Sequence, residues 1–168
     1  MGREIEKKFI IVKPSSFPEG TVASRIEQYF LLPRDGYDTR RIRVRTTAGK
    51  TVYTYTEKRL LSGFTRIENE RGISEDEFAS LLKERDPDMG KIVKTRYVYP
   101  YRGHTLEIDV FPFWDRYAVL EVELGSEEES FELPADIETV ADVTTDKRFT
   151  NKALAVRSPA PEEFPRRG

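Results

Sequence analysis

Side chains alternate between the two faces of an extended strand, so residues two apart point the same way. On that spacing the chain sets out charged groups in a definite order. Glu4, Glu6 and Lys8 share one face of a candidate strand over Arg3–Val12, and Arg41, Arg43 and Arg45 share one over Thr39–Thr47, with Ile42 and Val44 opposite. Thr54, Thr56 and Lys58 follow on Thr51–Lys58, and Arg66, Glu68 and Glu70 on Phe64–Ile73. Lys94 and Arg96 lie together on Ile92–Tyr101. Glu107 and Asp109 oppose Leu106, Ile108 and Val110 on His104–Phe111, and Glu121 and Glu123 alternate with Leu120, Val122 and Leu124 on Ala118–Leu124.

Any one of these strands reads as an ordinary half-exposed strand with its polar side to water. Taken together, the charges segregate by strand: an Arg triplet, a Lys–Arg pair, a Glu–Asp pair, a Glu–Glu pair. Like charges two residues apart gain little on an open surface and make sense where something neutralises them. Arginine forms bidentate, charge-assisted bonds to phosphate oxygens, and carboxylate pairs suit hard divalent cations such as Mg²⁺ or Mn²⁺. Both sets facing one cavity describe a site for a metal–polyphosphate complex. The charged faces then point inward, and the expected fold is α+β: an antiparallel β-barrel of about eight strands, wide enough for side chains and one small ligand. Its apolar outer face is expected to be covered by helices.

The connections agree with an antiparallel barrel, since Ala48-Gly49-Lys50 and Arg102-Gly103 suit hairpins. Three helices are expected. One falls within Gly20–Leu31, where Val22, Ile26 and Phe30 recur at helical spacing; a second starts at Ser74, with Glu77 completing a capping box and Phe78, Leu81 and Leu82 on one face. A third opens near Thr150 and carries Ala153, Leu154 and Val156. Ser126 and Glu129 could cap a further short turn, and the proline-rich tail from Ser158 is expected to be frayed.

Composition removes several alternatives. The 168 residues contain no cysteine and one histidine, His104, which excludes disulfides and thiolate chemistry and argues against a histidine metal site or a Ser–His–Asp triad. The 28 cationic and 30 anionic side chains nearly balance, unlike the uniformly basic surface of a general nucleic-acid binder. No apolar run approaches the roughly 18 residues of a membrane span, and no signal-peptide region is evident. A cytoplasmic protein with no membrane or nucleic-acid partner is the expectation.

The ordered blocks resemble a known family. Glu4-Ile5-Glu6-Lys7-Lys8 is similar to the ExExK signature of the CYTH superfamily, the triphosphate tunnel metalloenzymes. In order follow Arg43-Val44-Arg45, Lys58, Arg66-Ile67-Glu68-Asn69-Glu70, Lys94-Thr95-Arg96, Leu106 to Phe111, Glu121-Val122-Glu123 and a closing stretch from Val143 to Ala155. The resemblance covers roughly residues 3–156, so positions 1–157 are expected to form the tunnel domain and 158–168 a disordered tail. The Lys13-Pro14-Ser15-Ser16-Phe17-Pro18 run and Glu27-Gln28-Tyr29-Phe30, which lacks the glycine many members carry after Glu-Gln, depart from the family pattern.

The resemblance implies an eight-stranded antiparallel tunnel binding a triphosphate with Mg²⁺ or Mn²⁺. It implies Glu4, Glu6, Glu121 and Glu123 as metal ligands and Lys8, Arg43, Arg45, Lys58, Arg66, Lys94 and Arg96 as phosphate ligands, with Glu121, Glu123, Lys8 and Lys94 closest to the chemistry. It leaves open the roles of Arg41, Glu68, Glu70, Glu107, Asp109, Lys147 and Arg148, as well as the oligomeric state. Similarity to the short bacterial members implies hydrolysis of inorganic triphosphate, or of a related nucleoside or thiamine triphosphate. A CYTH-type adenylyl cyclase and a non-catalytic polyphosphate- or nucleotide-binding module are the alternatives.

Overall fold

The computed structural model describes residues 2–165. Eight antiparallel strands make the frame: β1 (Gly2–Val12), β2 (Val22–Phe30), β3 (Thr39–Thr47), β4 (Lys50–Ser62), β5 (Thr65–Ile73), β6 (Ile92–Tyr101), β7 (His104–Val110) and β8 (Tyr117–Glu123). They are hydrogen-bonded in the order β5-β4-β3-β2-β6-β7-β8-β1. Pairing of Gly2–Ile5 with Thr65–Glu68 then joins β1 to β5 and closes the barrel. A short ninth strand, β9 (Thr139–Asp142), pairs with the C-terminal half of β1 on the edge that β5 leaves free. The β3–β4 and β6–β7 links are tight hairpins with positive φ at Ala48 and Gly49 and at Arg102 and Gly103, the backbone that a two-residue turn needs to match strand twist.

The expected helix over Gly20–Leu31 is not formed, and β2 stands in its place. Ile26 and Phe30 are four apart, a spacing that one face of a helix and one face of a strand both satisfy. The structure resolves the ambiguity through the intervening residues: Ser24, Ile26, Gln28 and Phe30 are buried while Ala23 and Arg25 are exposed and Glu27 and Tyr29 half-buried, a period of two. The other two expected helices are present, the one near Thr150 in shorter form. Helix α1 (Glu75–Leu82) begins at Ser74, whose hydroxyl accepts the Glu77 amide, and α2 (Asn151–Leu154) is a single turn capped by Thr150 and preceded by a 3-10 turn at Lys147–Phe149. The stretch after Ser126 forms a turn rather than a helix.

Helices cover only part of the outer face. Phe78, Leu81 and Leu82 of α1 pack over Ile42 and Tyr55. The apolar backs of β1, β6, β7 and β8 are covered instead by Phe17 and by Phe131, Leu133 and Ile137 of the β8–β9 connection. The tail, expected to be frayed, is packed as far as it is described. Phe164 is buried against Trp114, Tyr117 and Phe149, and the Trp114 indole N–H donates to the Pro159 carbonyl at 2.9 Å. A large aromatic side chain and a buried hydrogen bond help to hold a segment with three prolines and few core-forming residues. Residues 166–168 lie outside the described residues.

The interior changes character along its length. Inward positions run from Glu4, Glu6 and Lys8 to Ile10 on β1, and from Glu121 to Val119 on β8, with Lys8 opposite Glu121 and Ile10 opposite Val119. At this apolar end Ile10, Phe30, Phe111 and Val119 pack with Val143, Phe149 and Leu154 from the segment after β9. That segment plugs the barrel and leaves the charged part of the lumen as the cavity.

Candidate active site

Two connected chambers occupy the lumen. One, about 340 Å³, is lined by Arg43, Arg45, Glu68, Glu70, Arg96, Val98, Glu107, Glu121 and Glu123. The other, about 140 Å³, lies beside the plug and is lined by Lys8, Phe30, Arg66, Phe64, Thr145, Lys147 and Lys152, among others. Glu4, Glu6, Arg41, Lys58 and Asn151 line both, so the chambers meet at the first strand and the arginine strand.

Cross-strand register decides how the charges combine. Asp109, 1% exposed, holds the Lys94 ammonium at 2.7 Å and grips Arg96 in a fork, Nε to Oδ1 at 2.7 Å and Nη2 to Oδ2 at 2.9 Å. Arg96 also reaches Glu107 at 2.5 Å and Glu121 at 3.7 Å. Lys8 lies 3.5 Å from Glu121 and donates to the Phe149 carbonyl at 3.3 Å. Lys58 bonds both oxygens of Glu4 at 2.9 Å. Burial alone would raise the carboxyls of Asp109 and Glu121. The charges of Arg96 and Lys94 on the first, and of Lys8 and Arg96 on the second, outweigh it and hold both well below the usual range.

Burial in turn brings the Lys94 ammonium down to about 7, against the pull of Asp109 and with the repulsion of Arg96 and Arg43. Lys94 lines neither chamber; its ammonium lies between Asp109 and the Asn151 side-chain oxygen at 3.2 Å.

Two carboxylates stand apart. Glu6 and Glu123 sit directly opposite each other on β1 and β8, and neither forms an ion pair among the described residues. Burial, then the charges of Glu121 and Glu4, push the Glu6 carboxyl up. Glu68 is raised to about 7 by burial and by its hydrogen bond with Glu4. Like charges directly opposite across a ladder are unfavourable, and a cation between Glu6 and Glu123 would offset their repulsion.

The site gathers nearly every residue that the sequence singles out. Glu4, Glu6, Lys8, Arg43, Arg45, Lys58, Arg66, Arg96, Glu121 and Glu123 line the chambers, joined by Arg41, Glu68, Glu70, Glu107 and Lys147. Arg148 does not take part: it is bound to Asp146 at 2.7 Å and to the Glu163 carbonyl at 3.0 Å. His104 pairs with Glu129, away from the chamber linings.

Ser24, Gln28 and Asn151 are contributors the sequence reading missed. The Gln28 carbonyl accepts Arg43 Nε and Nη2 at 2.9 and 2.6 Å, and Ser24 Oγ accepts Arg45 Nε at 3.1 Å. For Ser24 and Gln28 the signal available is their period-two placement on β2.

Among the described residues, no group of three or more carboxylate or imidazole side chains converges into a ready-made metal centre. The Glu6–Glu123 pair still suits a hard cation, because Mg²⁺ is commonly held by one or two carboxylates with water and substrate phosphates completing its shell. Among the described residues no helix is long and apolar enough to cross a membrane.

No family model matches the chain. It is 32% identical to the inorganic triphosphatase of Acetivibrio thermocellus over 162 residues, 95% of this chain and 96% of that one. The crystal structure of the inorganic triphosphatase NE1496 superposes with a TM-score of 0.55 at 31% identity, covering 94% of this chain and 100% of the other. The PH1819 protein from Pyrococcus horikoshii OT3 shares the fold, with a TM-score of 0.56 at 23% identity over 74% of this chain and 80% of its own. A closed barrel with its charge turned inward, the ordered blocks along its strands and full-length similarity to an inorganic triphosphatase lead to one assignment: the chain belongs to the CYTH family of triphosphate tunnel metalloenzymes.

Proposed function

We propose that this protein is a divalent-cation-dependent triphosphatase that hydrolyses inorganic triphosphate to diphosphate and phosphate. The observation that carries the reading is the division of charge in the lumen. Arg41, Arg43 and Arg45 of β3 form no ion pair among the described residues, whereas Lys8, Lys58, Lys94 and Arg96 are already paired with carboxylates. Arg41, Arg43 and Arg45 therefore present a positive wall to a polyanion, and the Glu6–Glu123 pair presents oxygen donors to the cation travelling with it.

In this reading Glu6 and Glu123 hold Mg²⁺ or Mn²⁺, with Glu4 and Glu121 beside them. A cation held there stabilises charge developing on the phosphate being transferred. Arg41, Arg43 and Arg45 line up the phosphate chain, and Lys8, Lys58, Arg66 and Arg96 set the field around it. One oxygen of Glu123 orients the attacking water. Glu121, held well down by Lys8 and Arg96, keeps those cations in place rather than accepting a proton.

The water oxygen bonds to the terminal phosphorus as the bridging P–O bond breaks. Diphosphate leaves with the bonding pair, and one proton passes to solvent. Lys94 acts from behind the wall, through Asp109 and Asn151.

The test is product analysis with tripolyphosphate, ATP and thiamine triphosphate, each with Mg²⁺, Mn²⁺ or EDTA. Phosphate release that is fastest on tripolyphosphate and lost in EDTA is the expected result. Pyrophosphate and cyclic AMP from ATP alone would replace this reading with a cyclase. Tight triphosphate binding with no product from any substrate would replace it with a binding module.

A further inference from the structure

Lys8, Lys58, Lys94 and Arg96 have acidic partners, but the partners that the second strand supplies to Arg43 and Arg45 are neutral. Gln28, 0% exposed, lies directly opposite Arg43 in the β2–β3 ladder. Its single carbonyl oxygen takes two of the guanidinium's donors, Nε at 2.9 Å and Nη2 at 2.6 Å. Two donors are thus held by one oxygen of a group with no charge, where a carboxylate would offer two oxygens and a negative charge.

Burial and the nearby charges of Arg41 and Arg96 bring the Arg43 guanidinium down to about 9, a sign that its charge is poorly compensated within the protein. Ser24 treats Arg45 in the same way through a hydroxyl. The Gln28 amide nitrogen and the Thr54 hydroxyl, which flank Arg43 from the two adjoining strands, are buried without a hydrogen-bond partner, as is Arg41 Nε. Buried donors left unspent are costly. Three of them on the β2–β3–β4 wall match a ligand made of acceptor oxygens.

We propose that Gln28 is a positioning residue that fixes the Arg43 guanidinium toward the phosphate chain while leaving its positive charge unspent. The neutrality of this partner sets the tunnel's affinity for polyanions. A carboxylate at the same position would hold Arg43 equally well and cancel its charge. The inference rests on triphosphate being the ligand of this lumen.

Gln28→Glu keeps the shape and the grip but adds the negative charge. Calorimetric titration of the whole protein with inorganic triphosphate in EDTA reads affinity without turnover, and thermal unfolding reads stability. The variant is expected to bind about a hundredfold more weakly, as one added charge within a few ångströms of a polyanion requires, while its melting temperature stays level or rises. Gln28→Met, which removes the grip without adding charge, is expected to weaken binding by a smaller factor.

A purely structural role would move affinity and melting temperature together, and that result would overturn the proposal, as would unchanged affinity in Gln28→Glu. If the wild type binds triphosphate but fails to hydrolyse it with Mg²⁺ or Mn²⁺, the hydrolase reading falls, and the same titrations still judge Gln28. A wild type that does not bind triphosphate overturns both.

Discussion

Asp109→Asn removes the charge that holds two buried cations while preserving shape. Asp109 is 1% exposed and contacts Lys94 at 2.7 Å and Arg96 at 2.7 and 2.9 Å. Breaking a buried pair by removing one partner typically costs about 3–5 kcal/mol, because the remaining charge is stranded. Two features place this case at the lower end. Arg96 keeps Glu107 and Glu121, and Lys94, already down to about 7, escapes the penalty by losing its proton. A loss of about 3 kcal/mol corresponds to a fall of roughly 6–12 °C in melting temperature for a chain of this size.

The pH dependence follows from Lys94. Its folded value, about 7, lies below the ordinary 10.5, so between the two the unfolded chain binds more protons and this group's contribution to stability rises with pH. Without Asp109 the folded value drops further, and the rise begins at lower pH. Thermal unfolding followed by circular dichroism across neutral and alkaline pH measures both effects. A variant that melts with the wild type, with the same pH profile, would refute the claim that Asp109 carries the buried cations.

Glu68 gives a dependence of opposite sign. Its folded value of about 7 lies above the ordinary 4.5, so the associated stability is present below 4.5 and is lost as pH rises through 7. In metal-free protein Glu68→Gln should flatten that decline and melt higher than the wild type at alkaline pH; identical profiles would contradict it. Phe164→Ala should cost about 3 kcal/mol by emptying the aromatic pocket against Trp114 and Phe149, with a red shift in the emission of Trp114, the sole tryptophan. Unaltered stability and fluorescence would mean that the tail does not hold the plug.

Seven of the eight barrel strands are legible in the sequence because charged and apolar residues alternate cleanly along them. The lumen is legible for the same reason: Arg41, Arg43 and Arg45 share a face whatever surrounds them. β2 is not, because Val22, Ile26 and Phe30 fit two periods and the decisive inward residues, Ser24 and Gln28, are small or neutral. Which cation pairs with which carboxylate is likewise hidden. Whether Asp109 meets Arg96, or Glu4 meets Lys58, depends on strand register and barrel closure, which alternation alone leaves free. The outer covering was misjudged for a related reason: Phe131, Leu133 and Ile137 lie in an irregular segment with no period to reveal that they cover a sheet.

The central claim is that an inward-facing carboxylate pair and an unpaired arginine wall act together on a triphosphate. Its most direct test is phosphate release from inorganic triphosphate by the wild type and by Glu6→Gln, each with Mn²⁺, Mg²⁺ or EDTA, alongside the melting temperature of each protein. The account predicts cation-dependent release by the wild type and its loss in Glu6→Gln, with the variant still folded and at least as stable, since it sheds a buried charge repelled by Glu121 and Glu4. Full cation-dependent release by Glu6→Gln would contradict it.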